Sequence, residues 1–261
     1  MRSTERCVLH QVFPSRRALW PRVVAALLLL LVVACAPASV RAQSQELIFD
    51  GGFELGGVNW GVSSTYTVAN SGGWFLSSVG GAAPLSGLPT DADGGGMNLY
   101  VVTDQLATGT MALFQTFTVP TDTSFRNLYL SFDMFVNDWS SQPTYNPSQH
   151  ARVDIIAATG TAHLAASIFN AYLGTDGGPI PAEFRHYEFD VLPFLTRGQA
   201  YRVRFQTVVG VSQLNQGVDN VSILAVPEPA TALLAASGFT VLASVVCVPR
   251  RLRRRLLRRQ T

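Results

Sequence analysis

From Leu128 to Asn137 the chain alternates with a period of two. Leu128, Leu130, Phe132, Met134 and Val136 stand between Tyr129, Ser131, Asp133, Phe135 and Asn137. Side chains on an extended strand point to opposite faces in turn, so this pattern fits a strand with one face in a core and does not fit a helix. Tyr201, Val203, Phe205, Thr207 and Val209 alternate in the same way with Arg202, Arg204, Gln206 and Val208. Further strands are expected at Leu47–Asp50, Met97–Thr103, Leu113–Val119, Val153–Ala158, His163–Phe169, Phe184–Val191 and Val218–Leu224. Gly, Pro, Ser and Asn punctuate them, and no long helical period competes. About nine or ten strands in this order imply an all-β, antiparallel sandwich. Neither an internal repeat nor an interdomain linker is visible.

The ends are of a different kind. Arg2, Arg6, Arg16, Arg17 and Arg22 precede the apolar run Val23–Val33. As a helix that run covers about 16 Å, short of the roughly 30 Å hydrocarbon core of a bilayer. A basic start, a short apolar stretch and a small-residue exit describe a signal peptide. Val40-Arg41-Ala42 offers a cleavage site that starts the mature chain at Gln43, while Val32-Val33-Ala34-Cys35 offers a lipoprotein box with a lipid on Cys35. At the other end Ala230–Val248 carries no charge. It reaches about 28 Å as a helix, enough to span. Arg250, Arg251, Arg253, Arg254, Arg255, Arg258 and Arg259 follow at once, which keeps this end cytoplasmic and the body outside. The expected organisation is a signal peptide at 1–42, an exported sandwich at 43–226 and an anchoring tail at 227–261, with its span at 230–248 and its arginines at 250–259.

Charge follows the same division. The chain has no lysine, and residues 43–226 hold six arginines against 15 acidic residues, a net of −9. An acidic body lacks the cationic face that phosphate binding needs, which argues against nucleic acid as a partner. Cys7 and Cys35 lie in the leader and Cys247 in the apolar tail. The body therefore has no disulfide framework, thiol nucleophile or cysteine metal site.

The order Pro227-Glu228-Pro229, apolar span, arginine cluster resembles the PEP-CTERM sorting signal. Prolines cannot sit inside a helix, which keeps the motif extended just outside the membrane. The resemblance implies recognition by an exosortase-type membrane processing enzyme and a link to extracellular polysaccharide in Gram-negative bacteria. It further implies an inner-membrane-anchored precursor that passes to the cell surface or extracellular matrix.

Within the body, "LIFDGGFELGGVNW", "DGGGMNLYVVTD", "LFQTFTVP", "HARVDIIAA", "GQAYRVRFQ" and "QGVDNVSIL" occur in the order found in jelly-roll carbohydrate-binding modules of the galactose-binding-like type. The opening segment resembles their first strand, with Asp50 in place of the usual asparagine. The resemblance implies a jelly roll and a structural calcium shared by the first and last strands. Glu54 and Asp219 match its carboxylates, and calcium takes oxygen ligands of this kind. Asp91-Ala92-Asp93-Gly94 looks like the start of a calcium loop but has Val102 where a twelfth-position carboxylate belongs.

Sugar sites on such sandwiches use aromatic platforms, because the C–H face of a pyranose packs on a ring while polar neighbours take its hydroxyls. Trp139, in the polar loop that holds Asn137, Asp138 and Tyr145, is the leading candidate. Trp74 is another, and Trp60 is assigned to the core. Catalysis has less behind it. His150, His163 and His186 form no metal-binding spacing, no G-x-S-x-G elbow exists, and Asp133, Asp138, Glu183 and Glu188 are ordinary candidates for a glycosidase pair. The sequence thus reads as an exported, non-catalytic sandwich that binds or joins extracellular polysaccharide. Its alternatives are a structural matrix protein without a sugar site and a small glycoside-active enzyme.

Overall fold

The computed structural model describes residues 43–66, 71–78, 80–90, 99–140, 145–175 and 179–228. The leader, Pro229, the apolar tail with its arginines, and Asp91-Ala92-Asp93-Gly94 lie outside the described residues. No described helix is long and apolar enough to cross a membrane.

Two antiparallel sheets form the body. Strands are numbered in chain order. One sheet runs β3 (Gly72–Ser77), β4 (Tyr100–Gln105), β11 (Leu214–Pro227), β6 (Phe125–Asp138) and β9 (Arg185–Asp190), with β1 (Gln45–Glu46) beside β11. The other runs β2 (Gly61–Ser64), β5 (Gly109–Thr118), β10 (Ala200–Val209), β7 (His150–Ala157) and β8 (Ser167–Gly174). The eight strands from β4 to β11 pair as β4-β11-β6-β9 and β5-β10-β7-β8, which is the jelly-roll arrangement expected.

The alternation read from the sequence faces inward as expected. Leu130, Phe132 and Met134 on β6 and Val203 and Phe205 on β10 are fully buried between the sheets. Phe132 stacks on Tyr187 at 5.1 Å and meets Phe205 edge-on at 5.4 Å. Phe135 and Asn137 depart from the pattern, being buried on the opposite face. There Tyr100, Val102, Phe135 and Ala182 form a second cluster with Phe184 against it. Asn137 fastens the cover, donating to the Thr90 carbonyl (2.7 Å) and accepting from Ala182 N–H (2.8 Å).

Several expectations are corrected. Leu47–Asp50 is not a strand: pairing stops at Glu46, and Asp50 (φ 52°) and Phe53 (φ 56°) turn the chain through left-handed conformations. His163 lies in a 3-10 turn, Ala162–Leu164, and β8 starts only at Ser167. β2 and β3 were not expected at all. They are short edge strands, GVSS and GGWFLS, without a period-two alternation to read.

The 3-10 turn is pulled onto the outer face of the second sheet by a buried charge. Arg204 and Asp154 are cross-strand partners on β10 and β7, both with fully buried side chains. Arg204 Nε and Nη2 donate to the two carboxylate oxygens at 2.7 and 2.5 Å. Nη1 donates to the carbonyls of Ala162 (2.6 Å) and Ala165 (3.0 Å). Such a bidentate, fully bonded pair is tolerated in a dry site where either charge alone is not. Asp154→Ala is expected to cost about 3–5 kcal/mol in chemical denaturation, and Arg204→Met with Asp154→Leu to recover most of that loss.

Candidate functional site

The loop after β1 is organised by one carboxylate. Asp50 accepts from the backbone N–H groups of Leu55 (3.0 Å), Gly57 (2.8 Å) and Val58 (3.1 Å), and its carbonyl accepts from Trp60 Nε1 (3.0 Å). Gly51 lets the loop lie against β11: a Cβ there would sit 1.8 Å from the Val221 carbonyl oxygen. Trp60 packs on Phe53 and Phe205, as expected of a core residue, and its other edge lines a cleft.

That cleft opens where two sheet edges lose their partners. β2 follows β5 only as far as the pair Gly61 and Phe114, although β5 continues to Thr118. Across the gap, Phe49 N–H donates to Gln115 Oε1 (2.7 Å) and its carbonyl accepts from Gln115 Nε2 (2.8 Å), so a side-chain amide replaces a strand pairing. The resulting space of about 510 Å³ is lined by Phe49, Trp60, Phe114, Asn59, Gln115 and Thr116, with Leu47 and Gly61. Phe49 is 49% exposed. Arg202 lies over the Phe114 ring, 4.7 Å from its centre. Three aromatic rings beside two amides and a hydroxyl, with no charged lining residue, make a surface suited to a neutral polyhydroxylated ligand. Nothing in the sequence singled out Phe49, Phe114 or Gln115, because the cleft joins segments distant along the chain.

A second site lies on the outer face of the first sheet. β11 bulges between Asp219 and Ser222, with Asn220 at φ 50°. Asp219 sits opposite Asp133 of β6 and is buried, with only 3% exposure. Burial, and then the nearby charges of Asp133 and Glu54, push its carboxyl from the ordinary 3.8 up to about 7. Glu54 and Asp219, paired by sequence resemblance, therefore do lie within electrostatic reach. Asp133 is engaged elsewhere: its Oδ1 is 2.7 Å from His186 Nδ1, and its Oδ2 accepts from Asn220 Nδ2 (2.8 Å). Among the described residues no three His, Cys, Asp or Glu side chains converge to hold a metal ion.

Trp139 and Tyr145 lie at the end where β6 leads into β7. Trp139 is half-buried, and its Nε1 donates to Asn215 Oδ1 (3.1 Å). Tyr145 is exposed and lies 5.1 Å from the His150 ring. Trp74 is on β3 and packs against the main core, and its Nε1 finds no partner among the described residues. None of the three lines the cleft. The organiser of this end is Gln149, which is fully buried. It accepts from the N–H groups of Gly210, Val211 and Ser212 and donates to Asp138 Oδ1 and the Ser212 carbonyl. His163 is hydrogen-bonded through Nδ1 to Ser63 Oγ (2.6 Å). No described hydrogen bond or ion pair joins any two of Asp133, Asp138, Glu183 and Glu188. Of Pro227-Glu228-Pro229, Pro227 ends β11 and Glu228 follows it.

No family model and no curated protein matches the chain. Solved structures similar in fold include TmCBM61 in complex with β-1,4-galactotriose, 11% identical, covering 69% of this chain and 99% of that one at a TM-score of 0.41. The Stig cyclase Fisc from Fischerella sp. TAU is 13% identical over 72% of this chain and 100% of that one, at 0.45. The enzymatically active domain of tailspike protein 4 of bacteriophage CBA120 is 15% identical over 69% of this chain, at 0.39, and the match spans only 21% of the tailspike chain. Likeness at this level does not say what a chain binds, and the site's own residues must decide it.

The Asp219 environment has a consequence for stability. A carboxyl whose proton affinity is raised by folding stabilises the fold fully below its ordinary pKa, and that contribution is lost as pH rises through the folded value. In metal-free buffer the unfolding free energy should therefore fall between about pH 4 and 7, and Asp219→Asn should flatten this slope and raise Tm at pH 8. Melts of both proteins across that range check the expectation; an unchanged slope in Asp219→Asn would assign it to other groups.

Proposed function

We propose that the body is a non-catalytic module that contacts neutral extracellular polysaccharide through the cleft between the segment after β1 and the unpaired end of β5. Its tail, read as a PEP-CTERM signal, carries it to the cell envelope through an exosortase-type enzyme. The observation that supports the sugar reading is the lining itself: Phe49, Trp60 and Phe114 as platforms, with Asn59 and Thr116 for hydroxyls. Trp139 and Tyr145, between β6 and β7, and Trp74 on β3 are the alternative sugar contacts. Export, anchoring and processing rest on the leader and tail sequences.

The core and all the described strands lie within residues 45–227, so a 43–228 fragment is a fair test object. Purified fragment should bind the host's extracellular polysaccharide saturably, and Phe49→Ala should weaken that binding about tenfold, the equivalent of 1.4 kcal/mol. Loss with Trp139→Ala and not with Phe49→Ala would move the site to the β6–β7 end. No binding by folded protein would leave the structural matrix reading.

We further propose that calcium bridges Glu54 and Asp219. The donor type fits, since a hard cation takes carboxylate oxygens and would relieve the charge crowding around Asp219. Calcium should raise Tm at pH 8, chelator should reverse the rise, and Asp219→Asn should abolish the response. A wild-type Tm indifferent to both reagents would rule the ion out.

A further inference from the structure

The sequence places the boundary between sandwich and sorting tail at Val226, with the motif beyond it exposed to its enzyme. The last strand does not respect that boundary. After a register shift at Val226, Pro227 still pairs with Phe125 of β6, and Glu228 N–H donates to the Ser124 carbonyl (3.0 Å). The Glu228 carboxylate lies 2.9 Å from Arg126 Nε. The first residue of the motif thus ends β11, and the second is held just beyond it by a backbone bond and an ion pair.

The segment that receives them is firmly built. Arg197 Nη1 donates to the carbonyls of Pro120 (3.4 Å) and Asp122 (2.8 Å), and Nη2 to that of Phe125 (2.5 Å). Asp122 Oδ1 accepts from Ser124 N–H (2.8 Å), and this bond, more than any other contact, holds the Asp122 carboxyl below its usual range. Val119 exchanges backbone hydrogen bonds with Gly198 and Gln199. Residues 119–126 therefore form a shelf whose shape is set from the sandwich side, whether or not Glu228 is on it. In sequence only Pro229 separates Glu228 from the apolar span that begins at Ala230.

We propose that this shelf is a docking surface for the chain's own sorting motif, with Ser124 and Arg126 holding Glu228, so that the processing enzyme gains the motif only when the end of β11 peels away from β6. The proposal rests on the sorting reading of the tail. A membrane enzyme that grips Glu228 must displace Arg126 from its carboxylate and Ser124 from its amide. The ion pair's side chains are 58% and 53% accessible, so the dock slows processing and does not block it.

The test follows conversion of full-length precursor to processed protein by pulse-chase, in cells that carry an exosortase-type enzyme. Arg126→Ala should speed conversion by about two- to tenfold, the range expected for losing one exposed pair and the strand-end bond it supports. A six-residue Gly/Ser insertion after Val226 should speed it at least as much. Arg126→Lys, which keeps the cation, should restore a rate near wild type. If Arg126→Ala and the insertion convert at the wild-type rate or more slowly while Glu228→Ala blocks conversion, the dock is overturned and the sorting reading stands. If Glu228→Ala is converted normally, the sorting reading itself fails.

Discussion

The pairing of β6 with β11 is the constraint on which the rest of the molecule depends. Both strands are 14 residues long, and β11 takes β4 and β1 along its other edge, so one central ladder aligns most of a sheet. Its inward residues, among them Leu130, Phe132, Val218 and Ile223, are the middle of the core. Each such side chain contributes about 1.5–3 kcal/mol when removed from water. The interruption at Asp219–Ser222 matters as much as the regular part. A bulge there turns Asp219 into a buried site beside Asp133 and lets the Gly51 backbone approach Val221.

Each outer face of the sandwich is closed by the chain's own connections. On the second sheet, the 3-10 turn before β8 is drawn down by Arg204. On the first, the loops at 81–90 and 180–184 are tied by Asn137, and Asp104 accepts from Leu85 and Ser86 N–H. The usual broad surfaces of a sandwich are thus partly covered, and the open concavity is displaced to the edges, where β5 outruns β2 and Phe49 leans on Gln115. An edge cleft of this sort costs no core packing. Phe49 is exposed there because strand pairing has ended.

The central strands were legible because burial on one face writes a period of two into the sequence, as in Leu128–Val136 and Tyr201–Val209. The edge strands β2 and β3 were not, since Gly61–Ser64 and Gly72–Ser77 are held by main-chain bonds that any residue can make. His163 looked like part of a strand because apolar neighbours flank it, but Arg204, some 40 positions away, claims the carbonyls of Ala162 and Ala165 and bends the segment. The Glu54 and Asp219 pair could be suspected from motif resemblance. The cleft could not, as Phe49, Asn59 and Gln115 share no local signal. Gln149 was likewise invisible, being one polar residue in a polar loop until three amides converge on it.

By itself the sequence determined that this is a β-rich, cysteine-free acidic body between an apolar leader and an apolar, arginine-flanked tail. Those properties are local or additive: periodicity, charge and hydropathy need no knowledge of what lies opposite. The tertiary structure decided where strands stop, which polar groups are buried with partners, where the surface stays concave, and that Pro227 belongs to the last strand as well as to the tail, with Glu228 tied just beyond it. Each of these depends on contacts between residues far apart in the chain, whose geometry is fixed only when the two sheets close on their shared core.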